Sequence, residues 1–310
     1  MKKISVVCGC YNEEGNVEEV YRQVRSIFKV LPQYAYEHIF IDNASKDKTV
    51  EILKDIAKVD KNVKIIVNSR NFGHIRSPYY GILQAQGDAV IYLASDLQEP
   101  PVLIKDFIKK WETGYKIVAG VKSKSKENSL MFNVRRIFYK IISYLSESEQ
   151  IENFTGFGLF DKKVIEVIRK IDDPYPYFRG LIAEVGYDIA IVNFEQPKRI
   201  HGFTKNNFYT LFDMALLGII NNSKVPLRLA IFLGSIFSSV CFILGIVYLI
   251  YKLLFWERFQ LGIAPLVIGL FFFFSVQLFF IGILGEYIGA IYTQVRKRPL
   301  VIERERINFD

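Results

Sequence analysis

Short apolar runs alternate with amphipathic stretches between residues 4 and 121. The apolar runs are predicted strands at residues 4–10, 38–41, 63–67, 89–93 and 115–121, and the stretches between them are predicted helices at 16–30, 47–58, 77–85 and 101–113. Strands that alternate with helices favour a parallel sheet with right-handed crossovers. The fold class of this part of the chain is therefore predicted to be α/β, with a mainly parallel sheet.

Two much longer apolar runs lie near the C-terminus. Residues 229–251 and 259–285 contain no charged side chain. Each run exceeds the roughly 20 residues that a helix needs to cross about 30 Å of hydrocarbon. Because only residues 252–258 separate them, the pattern predicts a two-helix transmembrane hairpin. A domain tethered in this way favours a substrate that itself resides in the membrane.

Three further segments have weaker patterns. Residues 129–146 and 206–222 have apolar side chains at helical spacing, so each could pack on the domain core, and the second could equally lie in the membrane interface. Residues 299–309 favour a short extended strand that would pair with a neighbouring subunit, the alternative being a disordered charged tail. The predicted division is a cytosolic domain at 1–205, an interfacial helix at 206–224, the hairpin at 225–292 and a C-terminal tail at 293–310.

The net charge of +8 is concentrated beside the apolar runs. Basic side chains in short flanking loops mark the cytoplasmic side of a membrane and attract anionic lipids, although a solvated flank is the plainer alternative. We therefore expect a multi-pass protein of the inner membrane with both termini cytoplasmic. The chain enters its first strand with no signal peptide pattern, which agrees with a cytosolic domain. Nucleic-acid binding is disfavoured because no nucleic-acid motif accompanies the charge.

The cysteines suggest neither a disulfide framework nor a zinc site. Cys8, Cys10 and Cys241 are too few for a framework, and the first two alternate within an apolar strand. They are predicted to be small buried apolar side chains.

Polar clusters follow the strands that end near Cys10, Ile41 and Leu93. In open α/β sheets, ligands bind outside the carboxyl ends of the strands, so these clusters should line one crevice. Asp42 and Glu13 could accept hydrogen bonds from a base or ribose, although solvation or helix capping is the commoner role of such residues. Two further side chains offer oxygen ligands that suit a hard cation such as Mg²⁺, which keeps phosphates and waters as its other ligands: Asp96 and Gln98.

Several ordered motifs together resemble family 2 glycosyltransferases. The first two, in residues 5–14 and 42–49, resemble the opening strand and second nucleotide-binding loop of that family. Others resemble the subgroup that glycosylates polyprenyl phosphates, which includes dolichol-phosphate mannose synthases and bacterial polyprenyl-phosphate glucosyltransferases: residues 68–74, Gly87-Asp88, residues 96–101 and residues 199–205. The resemblance implies a Rossmann-like GT-A domain and covers nearly the whole chain, but it does not specify the sugar.

The resemblance also implies roles for individual residues. The nucleoside of the donor would be held by Tyr11, Glu13, Asp42 and Ser45. Asp96 and Gln98 would bind Mg²⁺ or Mn²⁺ bridging the donor diphosphate. Arg199 and Lys205 match the basic motif that holds the phosphates, and the catalytic set would be Asp96, Arg199 and Lys205. The acceptor phosphate would contact Lys122 and Arg135 or Arg136, because arginine forks match phosphate oxygens.

Three positions depart from the family pattern. Gly9 replaces a usual proline, Ala94 replaces a usual acidic residue of the metal motif, and Gly156 stands where relatives carry an acid proposed as a base. The last loss is compatible with activity, since a phosphate monoester has its second pKa near 6 and is already an anionic nucleophile at pH 7. Single displacement at the anomeric carbon would invert its configuration.

The sequence thus predicts a membrane-anchored, metal-dependent glycosyltransferase that faces the cytosol. It would move one sugar from a nucleotide sugar to a polyprenyl phosphate, undecaprenyl phosphate in a bacterium, and would form a homo-oligomer. One alternative is transfer to another lipid or to a polysaccharide, and another, prompted by Ala94, is a catalytically weak membrane scaffold.

Overall fold

A computed structural model describes residues 1–124, 151–197, 224–255 and 263–309. The strands in these residues are β1 Lys2–Cys10, β2 Tyr34–Asp42, β3 Val63–Asn68, β4 Ala89–Ala94, β5 Ile117–Lys124, β6 Phe154–Asp161, β7 Ile189–Glu195 and β8 Glu303–Ile307. The helices are α1 Val17–Lys29, α2 Thr49–Val59, α3 Gly73–Gln84, α4 Ile104–Glu112, α5 Lys162–Ile171, α6 Phe178–Glu184, α7 Val225–Leu254 and α8 Ile263–Val295, and a 3₁₀ turn at Pro101–Leu103 precedes α4.

The described strands form one mixed sheet in the order β7-β5-β6-β4-β1-β2-β3-β8. β1 pairs in parallel with both β2 and β4, β2 pairs in parallel with β3, and β5 pairs in parallel with β7. The predicted mainly parallel α/β sheet is therefore confirmed. All five predicted strands exist, with ends that differ from the predictions by a few residues.

The sequence pattern did not indicate β6, which runs antiparallel between β4 and β5. Its two glycines weaken the apolar pattern that indicates a strand. Gly158 is required by the close approach of β5, because a Cβ there would lie 2.4 Å from the carbonyl oxygen of Val118. Gly158 thus weakens the sequence signal for β6 and at the same time allows β6 to pair with β5.

Both faces of the sheet are covered by helices. Val6 and Cys8 of β1 pack in a cluster with apolar side chains of α1, α2 and α4, whereas Val7 packs in a second cluster with side chains of α3 and α5. Cys8 and Cys10 are buried, as predicted. A central strand buried on both faces agrees with a near-continuous apolar run in a parallel sheet.

The C-terminal segment forms the predicted strand, but its partner differs from the expectation. β8 pairs antiparallel with β3 of the same chain, with Ile307 opposite Ile65 and Arg306 opposite Ile66. The edge of β3 already satisfies the backbone groups that were expected to require a neighbouring subunit. The structure therefore removes the argument for strand exchange, and a homo-oligomer stays a prediction.

The two apolar runs form the long helices α7 and α8. Within them, Val225–Leu244 and Gly269–Val295 are long and apolar enough to cross a membrane, and none of either span is buried inside the molecule. Apolar side chains that face outward are stable in lipid and unfavourable in water. The two candidate spans therefore suggest a membrane protein. The predicted helices at 129–146 and 206–222 lie outside the described residues.

A buried carboxylate ties the amino ends of three strands together. The side chain of Glu37 on β2 is 2% exposed and lies 2.6 Å from Lys3 Nζ and 3.0 Å from Lys64 Nζ. It also accepts hydrogen bonds from the hydroxyl of Ser5 and the backbone N–H of Gln86. Burial alone would raise the pKa of Glu37, but these donors lower it to about 2. The ionised carboxylate is thus part of the folded state.

Glu37→Gln should reduce stability at neutral pH by about 3 kcal/mol, because it leaves two lysines beside an uncharged amide. The folded pKa of about 2 is below the ordinary value of 4.5. The wild-type contribution is therefore fully present above pH 4.5 and is lost as pH falls towards 2. Urea unfolding in detergent between pH 7 and pH 3 measures both effects, with the exposed Glu51→Gln as control. Equal losses of stability on acidification in Glu37→Gln and wild type would contradict this role.

Candidate active site

Three loops begin at the same edge of the sheet, where β1, β2 and β4 end. In the register of these strands, Cys10 lies opposite Asp42 and Gly9 lies opposite Ala94. Neighbouring strands are about 4.8 Å apart, so the loops that follow them are adjacent. The three loops at 11–16, 43–48 and 95–100 therefore lie side by side at the edge where the crevice is predicted.

Each of these loops contains a non-glycine residue in the left-handed backbone region. The residues are Asn12 with φ of 54°, Ala44 with φ of 62° and Leu97 with φ of 59°. Such conformations cost about 1–3 kcal/mol for residues other than glycine and persist only where surrounding contacts hold them. Their occurrence after β1, β2 and β4 marks this edge as the candidate site.

The loops after β1 and β2 are joined by hydrogen bonds between side chains and backbone. Asn12 N–H donates to Ser45 Oγ at 2.8 Å, and Lys46 N–H donates to Asn12 Oδ1 at 2.8 Å. Glu13 N–H donates to Thr49 Oγ1 at 2.8 Å. The two loops therefore form one rigid unit.

Asp42 is the buried acidic residue of this unit. It accepts hydrogen bonds from the backbone N–H of Ser45 at 2.9 Å and from the Ser45 hydroxyl. Burial raises the pKa of Asp42, and the bonds from Ser45 and the nearby charge of Arg304 offset part of that rise. Glu13 Oε2 accepts from Asn16 Nδ2 at 2.6 Å at the rim of the same unit. The structure thus brings Glu13, Asp42 and Ser45 together, with Tyr11 half-buried at the start of the loop.

The loop after β4 presents the predicted metal ligands. The left-handed turn at Leu97 lets Asp96 Oδ1 accept a hydrogen bond from the backbone N–H of Gln98 at 3.1 Å. A carboxylate and an amide oxygen two residues apart suit a hard divalent cation. Within the described residues, no cluster of three or more histidine, cysteine or acidic side chains could hold a metal. The donor set therefore fits a cation only if substrate phosphates complete its coordination.

Glu99 supports this loop from below, a role that was not predicted from the sequence. It is 6% exposed and accepts hydrogen bonds from Ala94 N–H and Thr155 Oγ1, both at 2.7 Å. Burial raises its pKa, while those bonds and the positive charge of Lys122 act in the opposite direction. Glu99 joins β4 to β6 beneath the metal motif. The sequence signal that could have identified Glu99 is its position within the motif at 96–101.

A cavity of about 100 Å³ lies beside this support. Its lining includes Tyr79, Tyr92, Thr155, Pro176 and Phe178. It also adjoins Gly156, the position where the family resemblance implies an acid. The φ of 101° at Gly156 would strain any other residue, so the backbone here favours glycine.

Other predicted positions have structural consequences or lie outside the described residues. A Cβ at Gly9 would lie 3.1 Å from Cγ of Pro78, so the glycine accommodates the proline within α3. Lys122 lies on β5, which is separated by β6 from β4 and from the loop at 95–100 that follows β4. Four predicted residues lie outside the described residues, and their roles stay predictions: Arg135, Arg136, Arg199 and Lys205.

In open α/β sheets, ligands bind outside the carboxyl ends of the parallel strands, which is where these polar loops lie. The sequence profile of Glycosyl transferase family 2 matches residues 5–169. The chain belongs to this family and is a glycosyltransferase with a GT-A-type fold. The sequence-based recognition of the family is confirmed.

Similar proteins match over nearly the full length. An uncharacterized glycosyltransferase of Synechocystis sp. is 36% identical over 97% of this chain and 94% of its own. A prophage-derived bactoprenol glucosyl transferase of Shigella flexneri is 34% identical over 97% of each chain. Among solved structures, glucosyl-3-phosphoglycerate synthase from Mycobacterium tuberculosis, in complex with Mn²⁺, UDP and phosphoglyceric acid, aligns with a TM-score of 0.46 and 18% identity over 71% of this chain and 76% of that chain.

Glu99→Ala should reduce stability by about 2–4 kcal/mol, because it leaves the Ala94 N–H and the Thr155 hydroxyl buried without their acceptor. Glu99→Gln should lose less than half as much, since an amide can accept from the first group and donate to the second. Thermal unfolding in detergent compares the variants, with the exposed Glu152→Ala as control. Equal unfolding temperatures for Glu99→Ala and wild type would exclude the supporting role.

Proposed function

We propose that this glycosyltransferase transfers a single sugar from a nucleotide sugar to a polyprenyl phosphate at the cytosolic face of the membrane. The observation that carries the proposal is the 34% identity to bactoprenol glucosyl transferases over 97% of both chains, a match that includes the two apolar helices. An acceptor that resides in the bilayer explains why the catalytic domain carries membrane helices. Undecaprenyl phosphate is the expected acceptor in a bacterium.

The donor would bind across the loops at the ends of β1, β2 and β4. Asp42 and Glu13 are acceptors for ribose or base hydrogens, and Ser45 holds Asp42 in its orientation. Asp96 and Gln98 would hold Mg²⁺ or Mn²⁺ against the donor diphosphate. The bound cation would neutralise charge that develops on the departing nucleoside diphosphate. Ala94 stands where the family resemblance implies an acidic ligand, so Asp96 would be the one carboxylate that contacts the cation, because Glu99 is already held by Ala94 N–H and Thr155.

The acceptor phosphate would be held by basic side chains. Lys122 lies on β5. Its positive charge acts to lower the pKa of Glu99, the residue that supports the loop at 95–100. We assign Arg135 and Arg136 to the same role, and Arg199 and Lys205 to the donor phosphates. The reaction must bring two anions together and stabilise the departing nucleoside diphosphate, and basic groups would contribute to both by positioning and charge.

No protein base is required in this scheme. The acceptor phosphate is mostly a dianion above a pH of about 6, so its oxygen can attack the anomeric carbon without first giving a proton to the protein. The bond to the nucleoside diphosphate breaks as the new bond forms, which inverts the configuration. Gly156, which replaces an acid found in relatives, agrees with such a scheme.

Asp96→Asn should lower transfer at least about a hundredfold, because an amide oxygen lacks the charge that holds a divalent cation. Chelator should abolish wild-type transfer, and Mg²⁺ or Mn²⁺ should restore it. The assay uses the full chain in detergent with labelled nucleotide sugars and polyprenyl phosphate. The control is Asp55→Asn, because Asp55 is exposed and its partner is Lys58. Full activity in chelator would overturn the metal assignment. Transfer to other lipids or glycans, but not to polyprenyl phosphate, would overturn the acceptor.

Replacing Arg135 and Arg136 together by alanine should raise the acceptor KM about tenfold or more and leave the donor KM within about twofold. The reason is that the phosphate they would contact belongs to the lipid. The matched control replaces Lys109 and Lys110, an exposed basic pair on α4. Equal changes in both KM values would assign the two arginines to folding instead.

A further inference from the structure

The C-terminal strand is fastened to the domain along its whole length. Tyr80 OH donates to Glu303 Oε1 at 2.8 Å, and Lys54 Nζ lies 2.6 Å from Glu305 Oε2. Arg306 donates to Gln84 and pairs with Glu303. These contacts fix the position of β8 against α2 and α3.

Arg304 differs from the other charged residues of this strand. Glu303, Glu305 and Arg306 each have an ion pair or hydrogen bond, whereas Arg304 is exposed and has neither with any other residue in the described ranges. The strand therefore presents one cation that contributes no observed contact to its own docking. Such a side chain is available to a ligand.

The strand register places this cation at the candidate site. Asp42 lies opposite Val67 of β3, and Val67 lies opposite Glu305 of β8. The next pair joins Asn68 to Glu303, so Arg304 is the extra residue of a β-bulge. Bulges redirect a side chain and occur often beside active sites. Arg304 thus lies one residue beyond Glu305, towards the carboxyl ends of β2 and β3. It is about two strand spacings, or about 10 Å, from Asp42. A long side chain can largely span that distance.

Electrostatics agree with this placement. Burial raises the pKa of Asp42, and the charge of Arg304 is one of the influences that lower it. The cation therefore favours the ionised carboxylate, which is the form that accepts hydrogen bonds from a nucleoside.

We propose that Arg304 is a donor-binding residue, supplied by the C-terminal strand, whose guanidinium contacts the base or ribose of a nucleoside diphosphate held at Asp42. This inference rests on the proposed function, because it takes the donor to be a nucleotide sugar. The donor site is then incomplete without the strand that follows the second membrane helix. The chain segment between α8 and β8, residues 296–302, links the membrane anchor directly to donor binding.

The test measures binding of UDP, GDP, ADP and CDP to the full chain in detergent by calorimetry, with Mg²⁺ present. Arg304→Ala should weaken binding of the preferred nucleotide roughly five- to twentyfold, and Arg304→Lys should recover part of the loss. The free nucleoside should show a loss of similar factor, because the contact is to its base or ribose. Donor KM should rise while acceptor KM stays unchanged. The control is Lys61→Ala, which should bind the nucleotide as wild type does. It also removes a cation and a contact to the C-terminal tail, at Asn308, but it lies at the other end of β3.

Amide exchange of β3 reports whether β8 stays docked in each variant. If Arg304→Ala loosens the strand, Arg304→Met, which keeps most of the side-chain length, replaces it in the comparison. An unchanged dissociation constant in a docked variant would overturn the proposal while leaving the proposed function intact. Failure of wild type to bind any of the four nucleotides would overturn both.

Discussion

The parallel pairing of β1 with both β2 and β4 is the constraint on which the rest of the structure depends. Because β1 lies between these strands, with its apolar side chains packed on both faces, the three carboxyl ends meet at one edge. Parallel strands need helical crossovers, and those crossovers leave their connecting loops at that edge. The positions of Tyr11, Glu13, Asp42, Ser45, Asp96 and Gln98 follow from this arrangement, whereas Arg304 is placed by the pairing of β8 with β3.

The site is held rigid by bonds that offset local strain. Ala44 and Leu97 occupy left-handed conformations, and the side chains of Ser45, Asp42 and Glu99 accept or donate the hydrogen bonds that hold the loops. Preorganised loops lose little entropy when a ligand binds. Glu99 has particular weight because its bonds to Ala94 and Thr155 hold the loop that carries Asp96 and Gln98, the proposed ligands of the cation.

The membrane helices and the catalytic domain meet through the C-terminal segment. After α8 the chain returns to the sheet, and β8 extends it beside β3. A single polypeptide thus joins the region that would meet a lipid acceptor to the edge that would bind the donor. An acceptor phosphate bound to a lipid can approach only from the membrane side, so the orientation of the domain on its anchor matters for catalysis.

The sequence by itself determined the features that depend on local periodicity. Alternating strand and helix patterns predicted the α/β sheet, two long apolar runs predicted α7 and α8, and motif order identified the family. Tertiary structure alone decided which strands pair. The glycines of β6 weaken its sequence pattern but allow it to approach β5, and β8 pairs with β3 of the same chain. It also decided that Glu99 is a buried support and that Arg304 lies near Asp42. These outcomes depend on contacts between residues far apart in the chain, and local side-chain patterns do not encode which distant partners meet.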